Sequence, residues 1–414
     1  MGLAYTLLVF TVWFLSTYFN IVLLLILFNK KSELYASPAI DDSEKLPLVS
    51  ILVPAYNESK VIEENISSLK SIDYPRDKVE IIIINDGSTD NTSEIVGKHA
   101  EKDYIIFIDN KKNKGKAACL NQGISKAKGE FVACMDADSE VSSDILKKTI
   151  PYFKDNKVSA VTVTVEVKNP KNFLQRIIEI EYIIGLSLAL KALSFFNSIH
   201  VTPGPFSIYR KSIFSRIGMF DVNNITEDLE IAYRMQKHGF KIANCISTKV
   251  RTLTPDNFKS LHAQRKRWYS GALVTLWQHK NILFNTKIGA FGFVVPYTFV
   301  LVVLGLLLFF SSIYLTLSNF IRSISFYSLT NFNFLSYLSL RDLDMLHLGV
   351  LTLFGVSSVL MVIIAALTCL RLANKDTKKM ISGFIGFIFI FFLYQIFWAS
   401  SFYSVLLGKN IKWR

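Results

Sequence analysis

The sequence predicts an α/β domain with a mostly parallel sheet, inserted between about four transmembrane helices. Three observations predict it. Hydrophobic residues make up 51% of the 414, too large a share for an ordinary soluble chain. Long uncharged runs gather at the two ends of the sequence, each able to cross a bilayer. Between them, short β-rich runs alternate with helical stretches, the pattern of parallel strands joined by crossover helices. The expected division is an amino-terminal anchor over residues 1–30, the mixed domain with its interfacial helices over 47–285, and a bundle of three spans over 288–414.

The first apolar run, Leu3 to Phe28, has no basic residue before it and Lys30 and Lys31 after it. A cleavable signal peptide carries its charge on the other side and has a shorter apolar core, so this run reads as a signal anchor with its amino terminus outside. Ile288 to Leu317, Leu348 to Leu370 and Ile381 to Leu407 are the other expected spans. The mixed domain then faces the cytosol of a multi-pass plasma-membrane protein, on the side of Lys30, Lys31, Arg371, Lys375, Lys378 and Lys379. The tail disagrees: four spans that start outside also end outside, yet Lys409, Lys412 and Arg414 follow the last one.

A formal net charge of +13 would suit nucleic acid, but the basic residues are dispersed and many flank the spans. A lipid bilayer and an anionic small substrate account for them, and no nucleic-acid partner is expected. Cys119, Cys134, Cys245 and Cys369 show no metal-ligand spacing, so neither zinc nor a disulfide is expected.

In the mixed domain, Leu48 to Val53, Val79 to Ile84, Tyr104 to Ile108 and Glu130 to Met135 read as strands. Glu58 to Leu69, Ser93 to His99 and Lys116 to Lys126 read as the helices between them. Ligands of such sheets bind at the carboxyl ends of the strands, where Asn85-Asp86-Gly87-Ser88 and Asp136-Ala137-Asp138 fall. The sequence has no GxGxxG fingerprint, and Gly115-Lys116 lacks the rest of a P-loop, which excludes a Rossmann oxidoreductase and a P-loop NTPase.

Asp136 and Asp138 point the same way from an extended segment. Two such carboxylates suit a divalent cation that completes its shell with phosphate oxygens, or else form a solvated turn. Asp86 would accept hydrogen bonds from a base or ribose, or cap the helix expected after Ser88, and the residue taken alone favours capping. Thr226-Glu227-Asp228 precedes a helical stretch, so Thr226 reads as its N-cap and the acids as dipole partners, or one acid as a base for an acceptor hydroxyl. Gln264, Arg267 and Trp268 share a helical face. An amide, a guanidinium and an indole there would hold a pyranose and a pyrophosphate; an interfacial amphipathic helix is the other reading. Asn172 to Phe196, apolar but interrupted by charges, reads as interfacial or packed on the membrane helices.

In order and spacing, Asp86, Asp136-Ala137-Asp138, Thr226-Glu227-Asp228 and Gln264 through Trp268 resemble the processive family 2 glycosyltransferases. That group includes cellulose, chitin, hyaluronan and poly-N-acetylglucosamine synthases. The resemblance covers about Pro47 to Gly271 and the membrane segments in layout only. It implies a GT-A type fold and inverting transfer from a nucleotide-sugar donor, UDP-GlcNAc or UDP-Glc, to a polysaccharide or lipid-linked acceptor. By the same resemblance Asp228 is the catalytic base, and Asp86, Lys116, Asp136, Asp138 and Arg267 hold the nucleotide sugar. Glu227, Gln264 and Trp268 would hold the acceptor, and Asp136 and Asp138 a Mg²⁺ or Mn²⁺ ion. The spans are fewer than cellulose and hyaluronan synthases usually have, so a small membrane partner subunit or a homo-oligomer would have to supply the rest of a polymer channel. A single-sugar transferase acting on lipid, and a channel or transporter with an inactive regulatory domain, stay open as alternatives.

Overall fold

The computed structural model describes residues 2–36, 38, 45–103, 105–329, 350–375 and 377–408. The chain opens with α1 (Leu3–Asn29) and the short α2 (Lys31–Leu34). β1 (Val49–Ala55), β2 (Val79–Asp86), β3 (Ile105–Asn110) and β4 (Phe131–Cys134) then alternate with α3 (Ile62–Lys70), α4 (Thr92–Lys102) and α5 (Lys116–Lys126). β1, β2 and β4 are rich in apolar and β-branched residues, and Ile51, Leu52, Ile82, Ile83 and Val132 are fully buried. Strands covered on both faces need such runs.

The domain continues through β5 (Ser139–Val141), α6 (Ile145–Thr149), β6 (Val158–Val167) and α7 (Phe173–Tyr182). A π-helical turn, Ile183–Ala189, leads into α8 (Leu190–Ser194), followed by β7 (Ser207–Arg210), α9 (Ile213–Ile217), α10 (Glu227–Lys237), β8 (Lys241–Thr252) and α11 (Phe258–Gln278). Among the described residues, the eight strands form one sheet in the order β3-β2-β1-β4-β7-β6-β8-β5. β1–β2, β2–β3, β1–β4 and β6–β8 pair in parallel, while β4–β7, β6–β7 and β5–β8 are antiparallel. Ile62, Ile66, Val96, Ile145 and Ile178 cover one face of the sheet. Leu120, Ile124, Phe214, Ile231 and Met235 cover the other.

The first helix starts at Ile62 rather than Glu58. Asn57 is left-handed, with φ 57°, and the turn after it is pinned to the next loop. The Glu58 amide donates to Thr92 Oγ1 at 2.8 Å and the Ser59 amide to Asp90 Oδ2 at 3.1 Å, while Asn57 Oδ1 accepts from the Thr89 amide at 2.8 Å. These bonds tie Asn57 through Ser59 to the loop before α4 and hold the turn out of the helix.

Among the described residues, four helices are long and apolar enough to cross a membrane: α1, α12 (Phe291–Leu329), α13 (Val350–Leu372) and α14 (Thr377–Leu406). α1 packs between α12 and α13, with Tyr297 Oη donating to Leu15 O at 2.6 Å and Trp13 Nε1 to Ser357 Oγ at 2.7 Å. α14 instead lies against the domain: Phe387, Ile390 and Tyr394 share a core with Ile177, Ile178 and Leu261. The Asn172 to Phe196 stretch accordingly packs between sheet and membrane helices. The carboxyl-terminal Lys409, Lys412 and Arg414 lie outside the described residues, as do Tyr104 and Leu348.

Candidate active site

The parallel half of the sheet ends its strands on one side, and the polar residues gather there. Asp86, at the end of β2, is 4% exposed. Its Oδ1 accepts from the Lys114 amide at 2.7 Å and its Oδ2 from the Gly115 amide at 2.9 Å. It therefore tethers the loop that leads into α5, and does not cap the helix after Ser88 as the residue alone suggested. That helix begins at Thr92, whose amide donates to Asp90 Oδ1 at 3.0 Å. The tether sets the position of Lys116, first residue of α5.

Lys116 reaches across the end of β4. Its Nζ lies 2.5 Å from Asp136 Oδ1 and 3.1 Å from Glu227 Oε1. Burial works against the ammonium charge, but Asp136, Glu227 and Asp228 outweigh it and hold the pKa of Lys116 above its usual value. Gly204, between Pro203 and Pro205, presses on this pair; a Cβ there would stand 2.7 Å from Lys116 Nζ and 2.9 Å from Asp136 Oδ2. The Pro-Gly-Pro turn thus packs directly against the Lys116–Asp136 pair. Asn65 of α3 braces the aspartate loop from behind, its Nδ2 donating to Asp136 O at 3.0 Å and Ser139 O at 2.8 Å.

Asp138 accepts from Thr252 Oγ1 at 3.1 Å and from Ser139 Oγ at 3.2 Å. Burial first, and then the charge of Asp136, push its carboxyl up to about 6. Asp136 and Asp138 together offer hard carboxylate oxygens suited to a divalent cation. Among the described residues no third His, Cys, Asp or Glu joins them, a set of the size that Mg²⁺ uses when phosphate oxygens and water complete its shell.

The turn before α10 brings in Glu227 and Asp228. The hydroxyl of Thr226 donates to Asn224 Oδ1 at 3.1 Å and makes no bond to the helix it precedes, so the expected cap is absent. The main chain of Asp228 is fixed instead, its carbonyl accepting from the Thr202 amide at 3.1 Å and the Thr202 hydroxyl at 2.7 Å. Burial and then Glu227 push the Asp228 carboxyl up to about 7, with Lys116 and Arg267 pulling the other way. The charge of Arg267, on α11, thus reaches the same carboxyl. Asp228, Glu227, Lys116, Asp136 and Arg267 thus share one field, with Asp138 beside them.

Gln264, Arg265 and Trp268 are linked on α11. Arg265 is fully buried; its Nη1 donates to Gln264 Oε1 at 3.1 Å and its guanidinium carbon sits 4.1 Å from the centroid of the Trp268 ring. Sequence reasoning passed over Arg265, because nothing local distinguishes it from Lys266 and Arg267.

The pattern described as Glycosyl transferase family 2 matches residues 50–218. Through that segment the chain is similar to the family 2 glycosyltransferases. Its sheet and flanking helices form the GT-A fold, and the match contains Asp86, Lys116, Asp136 and Asp138 but stops short of Asp228 and α11. Poly-β-1,6-N-acetyl-D-glucosamine synthase of Staphylococcus aureus strain COL is 34% identical over 244 residues, 59% of this chain and 57% of that protein. The Staphylococcus epidermidis protein of the same description is 32% identical over 260 residues, 62% and 63% of the two chains. The aligned part spans about three fifths of these relatives. A solved mannosyltransferase from Pyrobaculum calidifontis, in complex with GDP-Man and Mn²⁺, shares the fold with a TM-score of 0.58 at 20% identity, over 92% of this chain and 99% of that one.

Proposed function

We propose that this protein is a membrane-bound, inverting hexosyltransferase of family 2. It moves a sugar from a nucleotide-sugar donor, UDP-GlcNAc or UDP-Glc, to a growing polysaccharide on the cytosolic side of the plasma membrane. One observation carries the reading: Asp228, anchored through its main chain, gathers with Glu227, Lys116 and the Asp136–Asp138 pair at the carboxyl ends of parallel strands. The 34% identity to a poly-β-1,6-N-acetyl-D-glucosamine synthase supports a polymer product and an N-acetylglucosamine donor.

In this reading Asp86 and the loop it tethers line the nucleotide side, and Lys116 and Arg267 face the diphosphate. Asp136 and Asp138 are the residues that would hold a divalent cation, which when bound neutralises charge on the leaving diphosphate. The Pyrobaculum protein, solved with Mn²⁺, supports that assignment. A sugar hydroxyl is a weak nucleophile at neutral pH, and Asp228 takes its proton as the oxygen attacks the anomeric carbon. Attack from the face opposite the diphosphate inverts that centre, so a second, nucleophilic carboxylate is unnecessary. Glu227 keeps Lys116 in place beside the acceptor, and Gln264 and Trp268 offer an amide and a ring face to the acceptor sugar.

The cytosolic orientation has structural support. Lys375, in the turn between α13 and α14, reaches Glu166 of β6 at 2.7 Å, which puts that basic turn on the domain's side of the bundle. The test is a screen of labelled nucleotide sugars with purified full-length protein in Mg²⁺ or Mn²⁺, followed by product sizing and linkage-specific glycosidases. A ladder of β-linked N-acetylhexosamine or glucose is expected, lost on chelation. A lone monosaccharide on lipid would overturn the polymer reading, and no transfer from any donor would overturn the enzyme.

A further inference from the structure

A buried guanidinium is costly unless it is paired and its hydrogen bonds are directed. Arg265, fully buried, is held by three elements at once. From α7, Glu181 Oε2 accepts its Nη2 at 2.8 Å. From α14, Tyr394 Oη donates to the same Glu181 oxygen at 2.5 Å, and its ring lies 5.6 Å from the guanidinium. On α11 itself, Gln264 takes the other terminal nitrogen and Trp268 takes the flat face. An apolar side chain of equal volume would fill the space at lower desolvation cost. It would not supply a planar cation for an indole together with directed bonds to a carboxylate and an amide.

We infer that Arg265, clamped by Glu181 and Tyr394, is a positioning residue that sets the Gln264–Trp268 acceptor platform in register with the last apolar helix. The inference rests on the transfer reaction proposed above, and adds to it a physical connection between the membrane helices and acceptor binding. A rigid frame surrounds the clamp. Tyr269 stacks on Trp398 of α14, with centroids 4.1 Å apart and planes at 3°. His262 Nε2 lies 3.3 Å from Ser400 Oγ, and Ser401 Oγ donates to Lys266 O at 3.4 Å. α11 and α14 therefore move as one body, and the Glu181 carboxylate joins that body to α7. Of the donor residues, Asp86, Asp136 and Asp138 lie at strand ends and Lys116 opens α5, so that Arg267 alone shares α11 with the clamp.

Loosening the clamp should therefore weaken acceptor binding selectively. The experiment measures initial rates over a grid of donor and N-acetylglucosamine oligosaccharide concentrations, using full-length protein in bilayers. Wild type, Glu181→Gln, Tyr394→Phe and the double variant are compared. Acceptor half-saturation is expected to rise about tenfold in Glu181→Gln while donor half-saturation stays within roughly twofold. The double variant should match Glu181→Gln, because both changes act through one carboxylate oxygen. Parallel rises in donor and acceptor constants would mark general loosening and overturn the inference, as would an unchanged acceptor constant or fully additive effects. Calorimetric titration of the same oligosaccharide, which needs no turnover, separates the two claims. Wild type that binds but does not transfer sinks the proposed reaction; variants that bind as well as wild type sink the clamp.

Discussion

Asp228 is held by its backbone and tuned by its neighbours, which is what a general base requires: fixed position first, then a pKa near the working pH. With its carboxyl pushed up to about 7 by burial and Glu227, the active form is the deprotonated one. The pH profile of kcat/KM should rise through about 7 from the acid side, reporting the free enzyme; a profile already flat from pH 5 would remove Asp228 from that role. Gly204 offers a second test on the same cluster. The atoms a Cβ would meet there are the ends of the Lys116 and Asp136 side chains, so Gly204→Ala should part that pair without unfolding the domain. Donor half-saturation is expected to rise about tenfold with the melting temperature little changed. The identities of the acidic residues could be read from the sequence, but their partners could not. Asp86 offered two local readings, and the answer came from amides 28 and 29 positions further on. Arg265 was hidden because its burial depends on Glu181 and Tyr394, which are near it only in space.

Among the elements, the alternation of strands and helices up to Met135 was readable because β1, β2 and β4 are apolar runs buried in the sheet and the helices carry periodic apolar stripes. β6 is as buried and β-branched as β1, but how β6, β7 and β8 pair left no such signal. Three of their four pairings join non-sequential strands, and β6–β8 also has a register jump between Val163 and Thr164, where β8 bulges. α11 meets the turn before α10 at Gly271, where a Cβ would lie 2.3 Å from Thr226 Oγ1. Thr226 is β-branched and buried, so it has little room to yield. Gly271→Ala should cost about 1–3 kcal/mol by overpacking, seen as a lower melting temperature, and should lower transfer by displacing Asp228; wild-type stability and rate would show that α11 and this turn are not in contact.

For the molecule as a whole, the membrane helices and the domain form a continuous structure. Glu166 gathers Lys249 and Lys375, and the Arg265 cluster joins α7, α11 and α14, so the site is built partly on helices apolar enough to lie in a bilayer. Composition predicted those helices well, because length and hydropathy suffice for them. It could not predict that α14 packs along the domain, since that depends on which face of the helix finds Ile177, Leu261 and Arg265. The central claim joins this architecture to sugar transfer through one carboxylate. Side-by-side titration of nucleotide-sugar binding and measurement of turnover in wild type and Asp228→Asn tests it most directly. The prediction is binding within roughly twofold of wild type and turnover lower by about 10²–10⁴; an Asp228→Asn protein that still turns over at the wild-type rate would contradict it.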